Sequence, residues 1–207
     1  MATLHYFDCL GRAEVLRILF VHSKTPYVDH RVSWEEWPEL KASGFSEFRQ
    51  LPVVEMDGLK LVQTLAVLRY VGAKVGYVPT DPALHYQMDS IIQLREEFRN
   101  ILNPFKRCTD MEGMTKCYAE NAPRYLGFLE TRLKQNREGA GWLVGETPTI
   151  ADIGVFELLW DHFVRAEREQ FAHYLNATPV LKAYYDRMIA TSPELQAYYE
   201  TRPTRPC

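Results

Sequence analysis

Tyr6 lies where the first predicted strand ends, shortly before Gly11 and Arg12 in the stretch LHYFDCLGRAEVLRILF. This stretch predicts a short strand, a turn and an amphipathic helix, because apolar residues between Val15 and Phe20 recur at helical spacing. A tyrosine at the lip of that turn has two interpretations. It fills the edge of a strand, or its hydroxyl donates a hydrogen bond to a bound molecule.

Leu51 and Pro52 form a second candidate, in which the backbone would contact the ligand. A residue before proline is restricted to extended conformations. A cis Leu51–Pro52 bond would allow the N–H and C=O groups of Leu51 to stay out of a sheet ladder. Those groups could then pair in strand fashion with a bound peptide. The same spacing is also compatible with an ordinary strand start after a proline.

Two pairs of polar residues could bind carboxylates. Gln63 and Thr64 stand where a predicted hairpin meets a helix; Thr64 is a good N-cap residue, and the open N–H groups of a helix start attract an anion. Trp37 and Lys41 lie four residues apart, so in a helix an indole N–H and an ammonium would face one way. Helix capping alone and a solvated surface turn are the respective alternatives. Together these residues predict a site for an extended ligand with an acidic group at each end, which fits a small peptide such as glutathione.

The whole chain has the composition of a soluble globular protein. Its 207 residues are 46% hydrophobic and 25% charged, which is sufficient to bury a core. The net charge of −3 provides no electrostatic footprint for nucleic acid, and the apolar runs are too short for a membrane span. The start MATLHYFD lacks the basic and apolar regions of a signal peptide. Four scattered cysteines without paired or metal-type spacing favour reduced thiols and a cytoplasmic location.

The pattern of elements changes once along the chain. Residues 1–76 read as strand, helix and strand, followed by a hairpin across Asp57-Gly58 and another helix, which is a βαβ-ββα order typical of a small α/β domain. The stretch VGYVPTDPA breaks this pattern and is a candidate linker. In residues 84–207 apolar positions recur at three- and four-residue steps, so this part predicts an all-helical domain.

Within the helical part, three features predict helix boundaries. Pro104 should bend or end the first long helix. A second helix is expected from about Tyr118 to Gln135, with a start made uncertain by Pro123. Thr149 and Asp152 have the spacing of a capping box, which predicts the start of a buried central helix and a structural role for both residues.

Six segments carry a resemblance to a known family: LHYFDCLGRAEVLR, WPELKA, QLPVVEMDG, LVQTLAVLRY, TPTIADIGVFE and TRPTRPC. They cover nearly the whole chain in the correct order and resemble the cytosolic glutathione transferases of the tyrosine type, nearest the sigma and pi classes. The resemblance implies a thioredoxin-like N-terminal domain over residues 1–76. It implies an α-helical C-terminal domain over residues 84–207, which contributes the acceptor-substrate site and dimer contacts. It further implies a homodimer that uses glutathione as co-substrate, without a metal.

The resemblance assigns a role to each residue singled out above. Tyr6, immediately followed by Phe, matches the catalytic tyrosine that donates a hydrogen bond to the glutathione sulfur. A free thiol has a pKa of about 8.5, and a donor aimed at the thiolate lowers that pKa and populates the nucleophile. The matching glutathione-binding residues are Trp37 and Lys41 at the glycyl carboxylate, Gln50 and Leu51 beside cis-Pro52 at the middle of the peptide, Gln63 and Thr64 at the γ-glutamyl carboxylate, and Arg12 as a supporting charge. The family usually has serine where Thr64 stands, and the hydroxyl is retained.

Other matches have a local alternative. Glu97 falls where the family commonly has an aspartate that reaches the glutathione of the other subunit. Its extra methylene leaves Glu96 as the alternative, and both residues could instead lie on a solvated helix face. Phe48 matches the aromatic key that some classes insert into the neighbouring subunit, or packs locally. The acceptor pocket is expected to be apolar and to draw on Phe7, Leu10, Phe105 and the C-terminal tail.

Several functions remain open after this comparison. An activated glutathione thiolate could conjugate xenobiotics or lipid peroxidation products in detoxification, or carry out a prostaglandin-type isomerisation. A ligand carrier or structural protein of the same fold is a rival interpretation, since fold alone does not determine function; the complete set of site residues favours catalysis. Cys9 at a helix start suggests a glutaredoxin-like reductase. However, Arg12 occupies the position of the second cysteine, so no dithiol can form there.

Overall fold

The computed structural model describes residues 1–105 and 110–202, except for the side chain of Phe105, and divides into two compact units. The first unit consists of residues 1–75 together with the C-terminal helix that follows Ser192. The second unit consists of residues 76–191. An N-terminal α/β unit followed by a helical one matches the predicted fold class. The predicted boundaries, 1–76 and 84–207, differ from these units in the placement of the C-terminal helix.

The elements alternate in the first unit and are all helical in the second. The first unit contains β1 (Ala2–Phe7), α1 (Glu14–His22), β2 (Tyr27–Val32), α2 (Trp37–Ala42), β3 (Val53–Met56), β4 (Leu59–Val62) and α3 (Thr64–Lys74). The second contains α4 (Pro82–Leu102), α5 (Met111–Gln135), α6 (Ile150–Leu159), α7 (Ala172–Asn176) and α8 (Pro179–Ala190). Helix α9 (Pro193–Thr201) then completes the first unit. No helix in the described ranges is both long enough and apolar enough to cross a membrane.

The four strands form one mixed sheet in the order β2-β1-β3-β4. β1 runs parallel to β2, with Phe7 opposite Val32, and antiparallel to β3, with His5 opposite Val53. β3 runs antiparallel to β4, with Val53 opposite Val62. Consequently β1, β2 and β4 end, and β3 begins, at the same end of the sheet. We call this end, formed by Phe7, Val32, Val53 and Val62, the sheet rim.

The second unit is built around α6, in which every residue is buried. Its first turn is the predicted capping box: the Thr149 hydroxyl accepts from the backbone N–H of Ala151 (3.2 Å), and the Asp152 carboxylate accepts from that of Thr149 (2.7 Å). The predicted end of the first long helix before Pro104 is confirmed, since α4 ends at Leu102. These boundaries were predictable because both signals act on the residues next to them.

The predicted start of the second helix near Tyr118 is wrong, because α5 begins at Met111. Asp110 provides the cap, since its carboxylate accepts from the backbone N–H of Gly113 at 2.8 Å. Pro123 lies inside the helix on its exposed side. Water can therefore satisfy the carbonyl that lacks a partner because proline has no N–H.

Helix α9 belongs to the first unit because it supplies partners to a buried carboxylate of α1. Glu14 of α1 is buried, and a buried carboxylate needs partners. Two of its partners come from the C-terminal segment: Tyr198 donates its hydroxyl to Glu14, and Arg202 forms an ion pair with it. Such pairing between distant residues leaves no signal in local periodicity. Periodicity alone therefore predicts α9 as a further helix of the second domain.

His5 predicts a pH dependence of stability. Its ring is buried between strands, with Nδ1 at 2.8 Å from His30 Nδ1 and Nε2 at 2.9 Å from Glu55 Oε2. Burial lowers the pKa of His5 below 6.5, although Glu55 acts in the opposite direction and Lys60 adds to the lowering. The folded protein therefore binds fewer protons than the unfolded chain between the lowered pKa and 6.5.

The free energy of unfolding should thus rise with pH through this window, and His5 should add no further pH dependence below or above it. One such group contributes a slope of at most about 1.4 kcal/mol per pH unit. Urea unfolding of wild type and His5→Gln at a series of pH values measures it. We expect the substitution to flatten the slope, and an identical slope in both proteins would contradict this assignment.

Candidate functional site

The predicted site residues of the first unit all lie in segments that flank the sheet rim. Their positions follow directly from the strand order: Tyr6 and Arg12 at the end of β1 and just after it, Trp37 and Lys41 after β2, Gln50, Leu51 and Pro52 before β3, and Gln63 and Thr64 after β4. Residues scattered over some 60 positions of sequence therefore share one end of the sheet. Parallel and antiparallel pairing together produce this convergence, because a strand that begins at the rim lies beside strands that end there.

The Tyr6 hydroxyl accepts a hydrogen bond from the loop that follows β1. Tyr6 is 8% exposed, and its hydroxyl oxygen accepts from the backbone N–H of Arg12 at 3.1 Å. Arg12 follows Gly11, whose φ of 48° lies in the left-handed region that glycine adopts without steric cost. Among the described residues no acceptor binds the hydroxyl proton of Tyr6, which leaves the proton available to a ligand.

Aromatic residues surround the end of β1. Phe7 stacks on Trp34 with ring centroids 4.1 Å apart and meets the edge of Trp37 at 5.7 Å. Trp37 is half-buried at the start of α2, and Lys41 is exposed one turn later. Trp34, which is 64% exposed, was not predicted as a site residue. The only sequence signal was its position three residues before Trp37, which does not reveal that it stacks on Phe7.

The Leu51–Pro52 peptide bond is cis, as predicted. The ladder between β1 and β3 starts at Val53, so Leu51 takes no part in it. The preceding backbone is fixed by Ser46, whose buried hydroxyl accepts from the N–H of Gln50 (3.2 Å) and donates to its carbonyl (2.7 Å). Leu51 is thus held at the rim with its backbone outside the ladder, as the pairing with an extended peptide requires.

The start of α3 differs from the prediction. Thr64 is the first helical residue, and Gln63 occupies the N-cap position without a capping side-chain hydrogen bond. The Gln63 amide instead donates to Gln50 Oε1 at 3.3 Å. With no side-chain cap, the first N–H groups of this 11-residue helix remain able to bind a carboxylate. Thr64 was misassigned because threonine is a common cap, whereas glutamine is not.

Gln63 also has an unusual backbone conformation, with φ 68° and ψ 108°. A non-glycine residue there is strained by about 1–3 kcal/mol, and such strain concentrates at functional sites. We expect the free energy of unfolding of Gln63→Gly to exceed that of Gln63→Ala by about 1 kcal/mol or more, because only glycine relieves the strain. If Gln63 binds the γ-glutamyl carboxylate, as the family resemblance implies, both variants should also raise the KM for glutathione about 10-fold or more, since each would remove a hydrogen bond to a charged group.

Urea unfolding and initial-rate kinetics on the two variants measure these effects. The matched pair separates backbone strain from the side chain, because both substitutions delete the same amide. Equal stability of the two variants would contradict the strain, and an unchanged KM would remove Gln63 from the binding site.

The remaining predicted residues have different surroundings. Glu97 is exposed on α4 and accepts a hydrogen bond from the Tyr125 hydroxyl of the same chain, while Glu96 pairs with Arg95 at 2.8 Å. Phe48 is exposed, and Leu10 is buried. The side chain of Phe105 lies outside the part of the chain that the structure describes.

Cys9 is buried and disulfide-bonded, so the expectation of reduced thiols is wrong for this residue. A disulfide depends on the separation of two sulfur atoms in space, which spacing along the chain does not report. With its sulfur bonded, Cys9 cannot act as a nucleophilic thiolate. Within the described ranges no group of three or more His, Cys, Asp or Glu side chains is placed to bind a metal ion.

Comparison with known proteins matches both parts of the chain to one family. The model described as "Glutathione S-transferase, N-terminal domain" matches residues 2–73, and that described as "Glutathione S-transferase, C-terminal domain" matches residues 92–202. The second match alone covers more than half of the chain.

Individual proteins agree with this result over nearly their whole length. Glutathione S-transferase 1 of Ascaris suum is 30% identical, over 98% of this chain and 97% of that protein. Hematopoietic prostaglandin D synthase of Gallus gallus is 29% identical, over 97% and 96%. Among solved structures, monomeric Na-GST-3, a glutathione S-transferase of Necator americanus, has a TM-score of 0.84 at 31% identity, over 99% and 98%. The chain belongs to the glutathione S-transferase family of enzymes.

Proposed function

We propose that this protein binds glutathione at the sheet rim and activates its thiol as a thiolate that attacks apolar electrophiles. The observation that carries the proposal is the Tyr6 hydroxyl, whose oxygen accepts from Arg12 while its proton has no acceptor among the described residues. A glutathione sulfur placed next to the Tyr6 hydroxyl would accept a hydrogen bond from it. The bond stabilises the thiolate over the thiol and so lowers the thiol pKa.

The flanking segments supply a binding group for each part of the tripeptide. The γ-glutamyl carboxylate would bind at the open start of α3, beside Gln63 and Thr64. The backbone of Leu51, with Gln50 next to it, would pair with the middle of the peptide. Trp37 and Lys41 would bind the glycyl carboxylate through an indole N–H and an ammonium.

The chemical step follows from these contacts. The thiol loses its proton to solvent, Tyr6 keeps its own proton and donates it in a hydrogen bond, and the sulfur lone pair forms a new bond to the electrophilic carbon. The electron pair displaced from that carbon leaves with a leaving group or moves into a conjugated acceptor. The protein contributes positioning and electrostatic stabilisation of the sulfur charge.

A second function uses the same thiolate. The similarity to hematopoietic prostaglandin D synthase favours a glutathione-dependent isomerisation of the prostaglandin type as the alternative. A non-enzymatic ligand-binding or structural role is the third possibility, and it would not require the Tyr6 hydrogen bond. A lowered pKa of the bound glutathione thiol would distinguish both enzymatic functions from the non-enzymatic role. The substrate that reacts with the thiolate would distinguish the transferase from the isomerase.

The test is an ultraviolet titration of glutathione bound to the wild-type protein, followed by rate measurements with an activated aryl halide and with a prostaglandin endoperoxide. We expect the pKa of the bound glutathione thiol to lie well below that of free glutathione. The rate of aryl halide consumption should rise in proportion to the fraction of thiolate. Binding without a lowered thiol pKa would favour the non-enzymatic role, and activity with the endoperoxide alone would favour the isomerase.

We also propose a homodimer in which Phe48 inserts into the partner subunit, and a cytoplasmic location. Phe48 is a large apolar side chain that is exposed in the single chain. If Phe48 is such an anchor, Phe48→Ser should weaken the dimer about 30-fold or more, because a buried aromatic anchor contributes about 2 kcal/mol or more.

Light scattering after size exclusion over a dilution series measures the effect of Phe48→Ser. Leu59→Ser is the control, since Leu59 is also an exposed apolar residue of the first unit. A wild-type protein that is monomeric at all concentrations, as the similar Na-GST-3 is described, would contradict the dimer.

A further inference from the structure

Arg17 is a fully buried cation directly behind the loop that follows Tyr6. Its side chain is 0% exposed, and Nη1 donates to the carbonyl oxygens of Cys9 (2.9 Å) and Leu10 (3.2 Å). Its Cζ lies 5.8 Å from the centroid of the Tyr6 ring. The two carbonyls belong to the segment that leads into Arg12, whose N–H donates to the Tyr6 hydroxyl. Arg17 thus holds the backbone from which the Tyr6 hydrogen bond is made.

Two carboxylates hold the guanidinium in turn. Nε of Arg17 donates to both oxygens of Asp29 (3.2 and 3.1 Å), and Nη1 pairs with Glu14 at 3.2 Å. Burial alone would lower the pKa of Arg17, but the charges of Glu14 and Asp29 raise it above its ordinary value. The group is therefore a permanent cation within the first unit.

Glu14 connects this cation to the C-terminal helix. It is 1% exposed, accepts from the Tyr198 hydroxyl at 3.1 and 3.2 Å, and forms a buried ion pair with Arg202. Burial and the Glu14 carboxylate raise the pKa of Tyr198, so its hydroxyl stays protonated and donates. A continuous set of polar contacts thus runs from α9 through Glu14 and Arg17 to the loop behind Tyr6.

Stability alone does not account for this arrangement. Buried ion networks can often be replaced by apolar residues without loss of stability, because desolvation offsets the attraction. Moreover, Arg17 Nη2 is buried without a hydrogen-bond partner among the described residues, which is unfavourable. A buried polar group with an unsatisfied atom calls for a functional explanation, and its position behind the Tyr6 loop supplies one.

We propose that Arg17 is a positioning residue for Tyr6, and that Tyr198 of α9 and Arg202, the residue after α9, set its position through Glu14. This inference rests on the proposed role of Tyr6 in thiolate stabilisation. If the carbonyls of Cys9 and Leu10 shift, the N–H of Arg12 moves away from the Tyr6 oxygen. A hydroxyl that accepts one hydrogen bond donates a stronger one, so losing the first weakens the second. The glutathione thiolate then loses stabilisation although no residue in contact with it has changed.

The test compares Tyr198→Phe and Arg17→Lys with wild type and with Tyr184→Phe. Tyr184 is a matched control, because its hydroxyl is buried and donates to the Asp152 carboxylate at 3.0 Å in the second unit. Both Tyr→Phe variants lose one hydrogen bond to a buried carboxylate, so their loss of stability should be similar. Arg17→Lys keeps the charge and loses the planar fork that holds two carbonyls and Asp29.

The readout is the pKa of the thiol of bound glutathione, together with the pH profile of kcat/KM. We expect Tyr198→Phe and Arg17→Lys to lower kcat/KM about 3- to 10-fold below the thiol pKa, which corresponds to a rise of that pKa by about half a unit to one unit. The KM for glutathione should hardly change, and Tyr184→Phe should match wild type in both readouts.

The outcomes separate this inference from the function on which it rests. If the thiol of glutathione bound to the wild-type protein has the same pKa as free glutathione, both the proposed function of Tyr6 and the positioning role of Arg17 are overturned. A lowered thiol pKa that is the same in wild type, Tyr198→Phe and Arg17→Lys would overturn only the positioning role. An equal rise of the thiol pKa in Tyr184→Phe would also overturn it, because a general loss of stability would then explain the effect.

Discussion

Replacing Tyr6 by phenylalanine is expected to abolish the lowering of the glutathione thiol pKa and to reduce kcat by up to about 30-fold near neutral pH, because a thiol with a pKa of about 8.5 is only about 3% ionised at pH 7. The substitution keeps the aromatic ring and removes the atom that accepts from Arg12 at 3.1 Å. Without that donor, thiolate forms only as far as the free thiol ionises, which has a pKa of about 8.5. The deficit should therefore shrink as the pH rises towards this value.

Ultraviolet titration of bound glutathione and the pH profile of kcat measure the two effects independently. Tyr70→Phe is a suitable control, since Tyr70 lies on α3 and its hydroxyl donates to Asp57 at 3.0 Å on the surface. If glutathione binds to Tyr6→Phe with its thiol pKa still lowered, another group activates the sulfur, and Arg12 becomes the first candidate.

Replacing Asp152 by alanine is expected to destabilise the protein by about 4 kcal/mol or more, because it leaves four buried donors without an acceptor and each such loss costs about 1–3 kcal/mol. Asp152 is 0% exposed, and its carboxylate accepts from four donors: the backbone N–H groups of Leu143 (2.9 Å) and Thr149 (2.7 Å), and the hydroxyls of Thr149 (2.9 Å) and Tyr184 (3.0 Å). Alanine would leave these donors buried without an acceptor.

Asp81→Ala provides the control for Asp152→Ala. Asp81 also caps a helix, accepting from Ala83 (3.0 Å) and Leu84 (2.9 Å), but it is exposed and water can replace it. Its loss should lower the free energy of unfolding by about 1 kcal/mol. Urea unfolding compares the two variants, and similar losses would show that burial of Asp152 adds little.

The sequence by itself was sufficient for features that depend on neighbours along the chain. Strand and helix periodicity, the hairpin at Asp57-Gly58, the capping box and the end of α4 before Pro104 each result from interactions within a few residues. The fold class follows from the order of these elements. The resemblance to a known family assigned roles to the candidate residues and added Gln50, Phe48 and Glu97, because it compares motifs and needs no coordinates.

Only the tertiary structure decided which distant residues meet. Glu14 and Arg202 are 188 positions apart, and their buried pairing assigns α9 to the first unit. Gln63 takes the cap position in place of Thr64, with a positive φ of 68° that a non-glycine residue rarely adopts. The stacking of Trp34 on Phe7, the disulfide at Cys9 and the contacts of Arg17 behind Tyr6 likewise have no local signal. The physical reason is that each of these contacts is defined by distance in space; for the buried Glu14 and Arg17, desolvation makes the charged group depend on whichever partner the fold brings to it.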